Sequence, residues 1–348
     1  MTHDENIALA PTDLAVKRTD RFDGTGFSVK LSRFAHEDVE LIKRTYEVVK
    51  RAYGLWLHIR DAAHLSDTHH EELLHQHILS EFKDRRFLLT LRDLGAATYK
   101  LGTPSRDVRS VLHDIRGGAL LALIGAAAAD ARGETISSEE LKSIILRARD
   151  HARIMRNAIS DLHPILRAID SGIKTHTMLD FIAKWARTTY RIGERKVDVT
   201  TDCAYDGFVC RYDLETAALD RVIYNHMNNA ARFSADDSVS IVAVPVNDEM
   251  VRWVVSNSIY PEHNVNLRDS LGADLGLLYK GGHTRGGHGI GLSNCAELVG
   301  AAVGINDIDT LVSSGYIGAS VRDHTYVAWF HWPTYKEPAK AKSNAQAS

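Results

Sequence analysis

Hydrophobic and polar residues in the first hundred positions alternate with the period of an α-helix. The repeating apolar positions lie three and four residues apart: Val39, Ile42, Tyr46 and Val49. This spacing predicts a buried helix face, and the pattern as a whole predicts helices over residues 36–65 and 68–100. Residues 1–30 are polar and interrupted by glycines, so we expect a loose arm there with one short strand at 27–31.

Two longer helices are predicted next. Pro104 forces its predecessor out of the α region, and Ser105 is a helix-capping residue type. The first helix is therefore expected over 106–132. A capping box at 137–140 then predicts a second helix to about residue 168. The two would form an antiparallel hairpin. Because a hairpin alone buries only one stripe, we expect a second copy to complete a four-helix bundle in a homodimer.

The pattern changes to mixed helix and strand after residue 173. Strand-like runs are predicted at 196–201, 238–246, 252–256 and 325–332, with helices at 178–190, around position 225 and after position 291. The tail 336–348 is rich in Lys, Ala and Ser and is expected to be disordered.

Composition narrows the class of protein. The 348 residues suffice for two or three domains, and 44% hydrophobic with 25% charged residues is typical of a soluble globular protein. A net charge of −3 gives no reason to expect nucleic acid as a partner. Cys203, Cys210 and Cys295 lack the number and spacing of a disulfide framework or a zinc site. Because no apolar run approaches the ~20 residues of a membrane span, we expect no membrane span and a cytoplasmic location.

Two segments carry candidate chemistry. Asn225 and Asn229 are four apart on a predicted helix, so both carboxamides can point into one pocket. The run 285–293, Arg-Gly-Gly-His-Gly-Ile-Gly-Leu-Ser, precedes another predicted helix. Glycines let the backbone approach an anion, and the helix amides would face it. Together the segments predict binding of a metal-bound phosphate group.

The two segments resemble the N box and the G2 box of the histidine-kinase branch of the GHKL ATPases. The resemblance covers about residues 106–333. It implies that Asn229 coordinates the Mg²⁺ of bound ATP, with Asn225 and Arg232 beside it. It also implies that Thr284 and Arg285 belong to a lid over the γ-phosphate. The remaining ATP-binding positions that it implies are Gly287, Gly289, Gly291 and Leu292.

An upstream segment, Leu112-His-Asp-Ile-Arg116, resembles the H box of the same kinases. There the acidic residue after the acceptor histidine takes its ring proton, so that the other ring nitrogen attacks phosphorus. The resemblance therefore makes His113 the phosphoacceptor and Asp114 its acid. Arg116 would support a phosphoryl oxygen or that acid. Gly117-Gly118 stand where the family commonly has a proline, and they provide a bend of the same kind.

The chain departs from the family at the G1 box. An aspartate followed by glycines is expected there to bind the adenine amino group, whereas this sequence has Asn257 without those glycines. A neutral acceptor gives a weaker hydrogen bond than a carboxylate. We therefore expect weak ATP binding with poor discrimination between bases.

The residue pattern and the resemblance together predict a multidomain α and α+β protein. Its parts would be an N-terminal arm and helical module that could act as a sensor (1–102), a dimeric helical hairpin (103–172), a GHKL α/β sandwich (173–335) and the tail (336–348). The resemblance implies a histidine kinase that passes phosphate from ATP through His113 to a response-regulator receiver domain. Two alternatives stay open from the sequence. One is a histidine phosphotransfer protein with a degenerate nucleotide domain. The other is a GHKL ATPase that drives a conformational change.

Overall fold

The computed structural model describes residues 13–17, 26–61, 69, 72, 75–118, 120–186, 188–272, 274–281 and 290–335. Their buried apolar side chains form two large cores. One lies among helices of the first 160 residues, and the other lies mainly in the part that follows. The predicted combination of a helical part with a mixed helix-and-sheet part is confirmed. The tail 336–348 and residues 282–289 lie outside the described residues.

The N-terminal helices differ from the two predicted. Helix α1 spans His36–Asp61. The second predicted helix is divided into a π-helical turn, His75–Leu79, and three short helices: α2 (Ser80–Lys83), α3 (Arg85–Arg92) and α4 (Ala96–Lys100). Asp84 is extended, and its carboxylate accepts the Arg86 N–H at 2.9 Å, which starts a new helix. Gly95, at φ 95°, breaks the chain again. Local capping therefore overrides the helical period of the apolar residues.

The first helix of the predicted hairpin is bent into two. Helices α5 (Arg106–Arg116) and α6 (Leu120–Ala131) are separated at Gly117 and Gly118. Gly118 has φ 55°, a conformation that glycine adopts without a steric penalty. The bend predicted at these two glycines is confirmed.

The second hairpin helix, α7 (Ser138–Ala158), begins as predicted, because the Ser137 side chain accepts the Glu140 N–H at 3.2 Å. It ends well before the predicted residue 168. Ile159 turns extended and forms a parallel bridge with Val29, and α8 (Pro164–Asp170) follows. The strand predicted at 27–31 is only this bridge, followed by a 3-10 turn.

Helix α1 packs along α7, and both share one core with α5 and α6. Ile42 and Val49 of α1 are fully buried there, as is Ile115 of α5. The expected boundary at residue 102 therefore does not separate two cores. Helix α1 also covers apolar surface of α7 that we expected a second copy to cover, so the hairpin does not need a second copy to bury that surface. The homodimer itself stays a prediction.

The C-terminal part is built on a mixed sheet. The strands are β1 (Ile173–Thr177), β2 (Thr189–Ile192), β3 (Arg195–Cys203), β4 (Phe208–Tyr212), β5 (Ser238–Asn247), β6 (Met250–Ser258), β7 (Ile317–Arg322) and β8 (Thr325–Pro333). Six of them form one sheet in the order β2-β3-β5-β6-β8-β7, in which only β3 and β5 pair in parallel. Strands β1 and β4 form a separate antiparallel pair.

The helices of this part are α9 (Met178–Ile182), α10 (Asp213–Phe233), α11 (Pro261–Leu271), α12 (Gly291–Val303) and α13 (Ile308–Ser313), with a 3-10 turn at Leu275–Lys280. Helices α9, α10, α12 and α13 contact the six-stranded sheet, and α11 contacts the 3-10 turn. Helix α10 contacts β6, and α12 contacts β8 and α10. The two helices that bear the candidate chemistry are thus neighbours in the fold.

Part of the N-terminal arm is bound to the C-terminal part. Leu14 is buried in the sheet core, and its carbonyl accepts a hydrogen bond from the Asn247 side chain at 2.7 Å. The Lys17 N–H donates to the Val303 carbonyl at 2.7 Å. The expectation of a loose arm is therefore wrong for residues 13–17, because backbone groups of this segment find partners in the sheet part.

A buried group of charged side chains joins α7 to α10. We call it the Asp150 cluster; its members are Arg149, Asp150, Arg153, Lys184, Asp213 and Asp220. Asp150 is fully buried and accepts from Lys184 at 2.7 Å and from the Tyr224 hydroxyl at 3.1 Å. Burial opposes its ionisation, yet the cations of Arg149, Lys184 and Arg153 hold the pKa of Asp150 far below its usual range. The cluster fixes the hairpin to the sheet part.

Among the described residues, one stretch is long and apolar enough to cross a membrane, Arg106–Ala131, with a mean hydropathy of 1.4 over its best window. A core helix of a globular protein has the same character. Leu112, Ile115 and Leu123 of this stretch are buried in the helical core.

Candidate functional site

Helix α10 presents the two asparagines as the sequence predicted. Its apolar face is fully buried: Leu219, Val222 and Ile223. Asn225 is 9% exposed, and Asn229, one turn later, is half-buried. Arg232 is exposed, with its guanidinium 5.2 Å from the centroid of the Phe233 ring. The helix thus places two carboxamides at the boundary between core and solvent.

Helix α12 begins at Gly291, directly after the glycine run. Gly291 is buried, and Leu292 is partly buried against the sheet core. The N-terminal amides of a helix of 13 residues attract an anion. Thr284, Arg285, Gly287 and Gly289 lie outside the described residues, and their assignment stays a prediction.

The acceptor candidate lies at the N-terminus of α12. A Cβ atom built on Gly291 would be 2.9 Å from His113 Cε1, 3.1 Å from His113 Nε2 and 3.1 Å from Asn225 Oδ1. The His113 side chain is 29% exposed, so solvent reaches only part of the ring. Three elements that are far apart in sequence therefore meet at one point: the H box, the first N-box asparagine and the end of the glycine run.

A buried carboxylate lies behind the acceptor. Asp114 Oδ1 is 3.4 Å from His113 Nδ1, and Asp114 Oδ2 accepts from Arg221 Nε at 2.7 Å and lies 2.5 Å from its Nη2. Burial opposes ionisation of Asp114, yet the Arg221 guanidinium and His113 together hold its pKa below the usual range. The carboxylate is thus ionised near neutral pH and oriented from both sides.

The Arg116 guanidinium does not pair with Asp114 but lies beside Gly95. A Cβ built on Gly95 would be 2.5 Å from Arg116 Nη2, so this guanidinium packs against the turn before α4. The expected support of the acid by Arg116 is corrected, because the cation paired with Asp114 is Arg221. A role for Arg116 toward a phosphoryl oxygen stays a prediction.

Three residues near His113 and Gly118 were not predicted from the sequence. Arg221 stands four positions before Asn225, on the same side of α10, and this spacing is the signal that marks it. Asn228 Nδ2 lies 3.5 Å from the Gly118 carbonyl oxygen, a marginal hydrogen bond. His151 of α7 is fully buried beside Gly118, and nothing in its sequence neighbourhood marks it.

Asn257, the departure from the family pattern, is 4% exposed on β6. Its Nδ2 donates to the Ser258 carbonyl at 2.9 Å, and its Oδ1 is buried with no hydrogen-bond partner in the described part of the chain. A buried acceptor without a partner is costly. Asn257 Oδ1 is therefore an acceptor that a bound donor group could satisfy.

No protein-family model matches the chain, and no curated protein matches it. Solved structures of histidine kinases are similar to it. A histidine kinase from Burkholderia phymatum STM815 is 14% identical with a TM-score of 0.32, over 68% of this chain and all of that one. Full-length ShkA, solved in complex with AMPPNP, is 16% identical with a TM-score of 0.35, over 67% of this chain and 46% of that one. ThkA, solved in complex with the response regulator TrrA, is 16% identical with a TM-score of 0.26, over 74% of this chain and 66% of that one.

Proposed function

We propose that this chain is a histidine kinase of a two-component system. It transfers the γ-phosphoryl group of ATP to His113 and then to an aspartate of a response-regulator receiver domain. The observation that carries the proposal is the place of the His113 ring, at the N-terminus of α12 beside Asn225. That is where the motif resemblance puts the phosphates of the nucleotide.

The arrangement suits attack by Nε2. This nitrogen faces Gly291, whereas Nδ1 faces the ionised Asp114. With its proton on Nδ1, the ring uses the Nε2 lone pair to form the N–P bond as the bond from the γ-phosphorus to the ADP oxygen breaks. Asp114 stabilises the positive charge that develops on the ring and accepts the Nδ1 proton. The protein mainly positions the reactants.

ATP and Mg²⁺ fit the residues that are present. Asn229 offers a hard oxygen ligand of the type that magnesium takes, and bound Mg²⁺ offsets phosphate charge. Asn257 Oδ1 offers the adenine acceptor. Because that acceptor is neutral, we expect weak binding of ATP.

The proposal includes transfer within one chain. His113 and the α10–α12 site are contributed by the same molecule and are already in contact. A homodimer is not required for this step. It remains a prediction, as do the cytoplasmic location and the receiver partner.

The test is labelling of purified protein with γ-labelled ATP and Mg²⁺. We expect label that is acid-labile and base-stable, lost in His113→Gln and retained in His36→Gln, a control at an exposed histidine. Undiminished labelling of His113→Gln would overturn the acceptor assignment. No labelling of wild type, with no ATP binding by calorimetry, would favour a phosphotransfer protein that takes phosphate from a receiver.

A mixing experiment tests transfer within one chain. Asn229→Ala keeps the acceptor but loses Mg²⁺-dependent nucleotide use, and His113→Gln keeps nucleotide use but lacks the acceptor. An equimolar mixture, unfolded and refolded together to exchange subunits, should stay unlabelled. Label on the Asn229→Ala chain would show transfer between chains.

A further inference from the structure

Arg221 occupies a position between the acceptor and the nucleotide helix. It belongs to α10, which also carries Asn225 and Asn229, and its side chain is 7% exposed. Two of its nitrogens engage Asp114 Oδ2, while Asp114 Oδ1 faces His113 Nδ1. A histidine, a carboxylate and a guanidinium therefore form a continuous line across the interface between α5 and α10.

The other groups packed around Asp114 do not replace this cation. His151 comes from α7, and burial lowers its pKa to about 4, although Asp114 opposes that shift, so the ring is neutral near pH 7. Cys295 comes from α12, and burial raises the pKa of its thiol well above the usual range. Arg221 is thus the cation paired with Asp114 among the described residues.

We propose that Arg221 is a positioning residue for phosphoryl transfer. It holds the Asp114 carboxylate so that the ring proton of His113 stays on Nδ1 and Nε2 is free to attack. This inference rests on the proposed function and deepens it. It adds that the helix binding Mg-ATP also sets the tautomer of the acceptor.

Loss of Arg221 has a consequence that depends on pH. Asp114 is buried, and without the guanidinium its burial is unopposed except by His113, so the pKa of Asp114 should rise. A protonated Asp114 no longer accepts the Nδ1 proton. Transfer in Arg221→Met should therefore be slowed by about 10² near pH 7, the size of a contribution from a positioned base. The difference in transfer rate between Arg221→Met and wild type should shrink as the pH rises, because Asp114 then ionises.

The variants are Arg221→Met, Arg221→Lys, Asp114→Asn and the double variant Asp114→Asn/Arg221→Met. Lysine keeps the charge but lacks the two-nitrogen geometry, so we expect partial rescue. In the Asp114→Asn background, loss of Arg221 should have little further effect, because the two residues act as a unit. The control is Arg106→Met. Arg106 of α5 pairs with Glu297 of α12 in the same interface. Glu297 also interacts electrostatically with Arg221, so this control reports the loss of an interface cation while the Asp114–Arg221 pair stays intact.

Two measurements separate this inference from the proposed kinase activity. The first is the single-turnover labelling rate at several pH values, with ATP affinity measured in parallel. The second is the tautomer of His113, read by ¹⁵N NMR of ATP-free protein and assigned by the signal lost in His113→Gln. We expect the Nδ1–H tautomer in wild type and in Arg106→Met, and its loss in Arg221→Met.

A changed tautomer without labelling of any variant would support the positioning role and refute the kinase activity. Normal labelling with an unchanged tautomer and pH profile in Arg221→Met would refute the positioning role alone. If Arg221→Met does not fold, the labelling rates of Arg221→Lys and of the double variant test the positioning role instead. Equal rates in Arg221→Lys and wild type, together with a further loss in the double variant relative to Asp114→Asn, would overturn the inference.

Discussion

Replacement of Gly291 by alanine should separate nucleotide binding from phosphoryl transfer. The added Cβ would lie 2.9 Å from His113 Cε1 and 3.1 Å from Asn225 Oδ1. Carbon atoms in contact prefer about 3.5–4.0 Å. The His113 ring must therefore move by roughly 0.5–1 Å. Gly291 does not have a positive φ, so alanine meets no backbone strain there.

The effect on transfer follows from that displacement. A misplacement of about 1 Å costs on the order of 10²-fold in rate, which is about 2.7 kcal/mol of transition-state stabilisation. Folding stability should not fall in parallel, since alanine favours a helix over glycine by up to ~1 kcal/mol. Because Gly291 is also one of the predicted ATP-binding positions, ATP affinity is measured in parallel, and the rate at saturating Mg-ATP reports the transfer step alone.

The assay is single-turnover labelling with saturating Mg-ATP, together with calorimetric affinity and a thermal melt. The matched control is Gly54→Ala in α1. Gly54 also lies in a helix without a positive φ, but a Cβ there has no atom within 4 Å. Equal labelling rates for Gly291→Ala and Gly54→Ala would refute the claim that His113 reacts from the position seen in the structure.

Three further outcomes are expected. Asn229→Ala should abolish labelling and the Mg²⁺-dependent part of ATP affinity; unchanged Mg-ATP binding by calorimetry would contradict the N-box assignment. Asn257→Asp should tighten ATP binding several-fold, about 1 kcal/mol, and improve selection of ATP over GTP, because a carboxylate accepts a stronger hydrogen bond; weaker binding would show that the asparagine is the better acceptor here. Stability should fall as pH drops from about 6.5 to 4, measured as melting temperature. Three buried histidines have pKa values lowered to about 4, primarily by burial: His151, His226 and His331. The unfolded chain, with histidine pKa near 6.5, then binds more protons than the folded chain in this window. Each histidine contributes on the order of a few kcal/mol by this linkage, and a flat melting temperature between pH 6.5 and 4 would count against burial of neutral rings.

Local signals in the sequence predicted the start of α7 and the bend after α5, although the local helix breaks at Asp84 and Gly95 were not predicted. Ser137 starts α7 because its side chain accepts the Glu140 N–H, and Gly118 bends the acceptor helix because it takes a positive φ. An element end that depends on a distant contact was predicted wrongly. Helix α7 ends at Ala158 because Ile159 pairs with Val29, and no short-range pattern encodes that bridge.

The candidate site shows the same difference between local spacing, which the sequence reveals, and long-range contacts, which it does not. Asn225 and Asn229 are spaced so that the helix itself brings them to one side. The pairing of Asp114 with Arg221 joins residues that are 107 positions apart. Neither Asp114 nor Arg221 stands out in the sequence as the partner of the other, so Arg116, the nearer cation, was offered as support for the acid or for a phosphoryl oxygen, and the first of these alternatives is wrong.

The contacts that place His113 beside Gly291 also restrict the second reaction that we propose for it, phosphotransfer to a receiver. The acceptor ring lies against α12, and the Asp150 cluster holds α7 against α10 through buried ion pairs of Asp150 and Asp220 with Lys184 and Arg153. A receiver aspartate has to approach the same ring nitrogen that faces Gly291. Separating the hairpin from the sheet part would break these ion pairs and expose Ile154 of α7, which is buried in the sheet core, so the two parts do not separate without compensation. Phosphotransfer to a receiver therefore requires either a smaller movement of α12 after ADP leaves, or binding energy from the receiver that offsets the loss of the cluster.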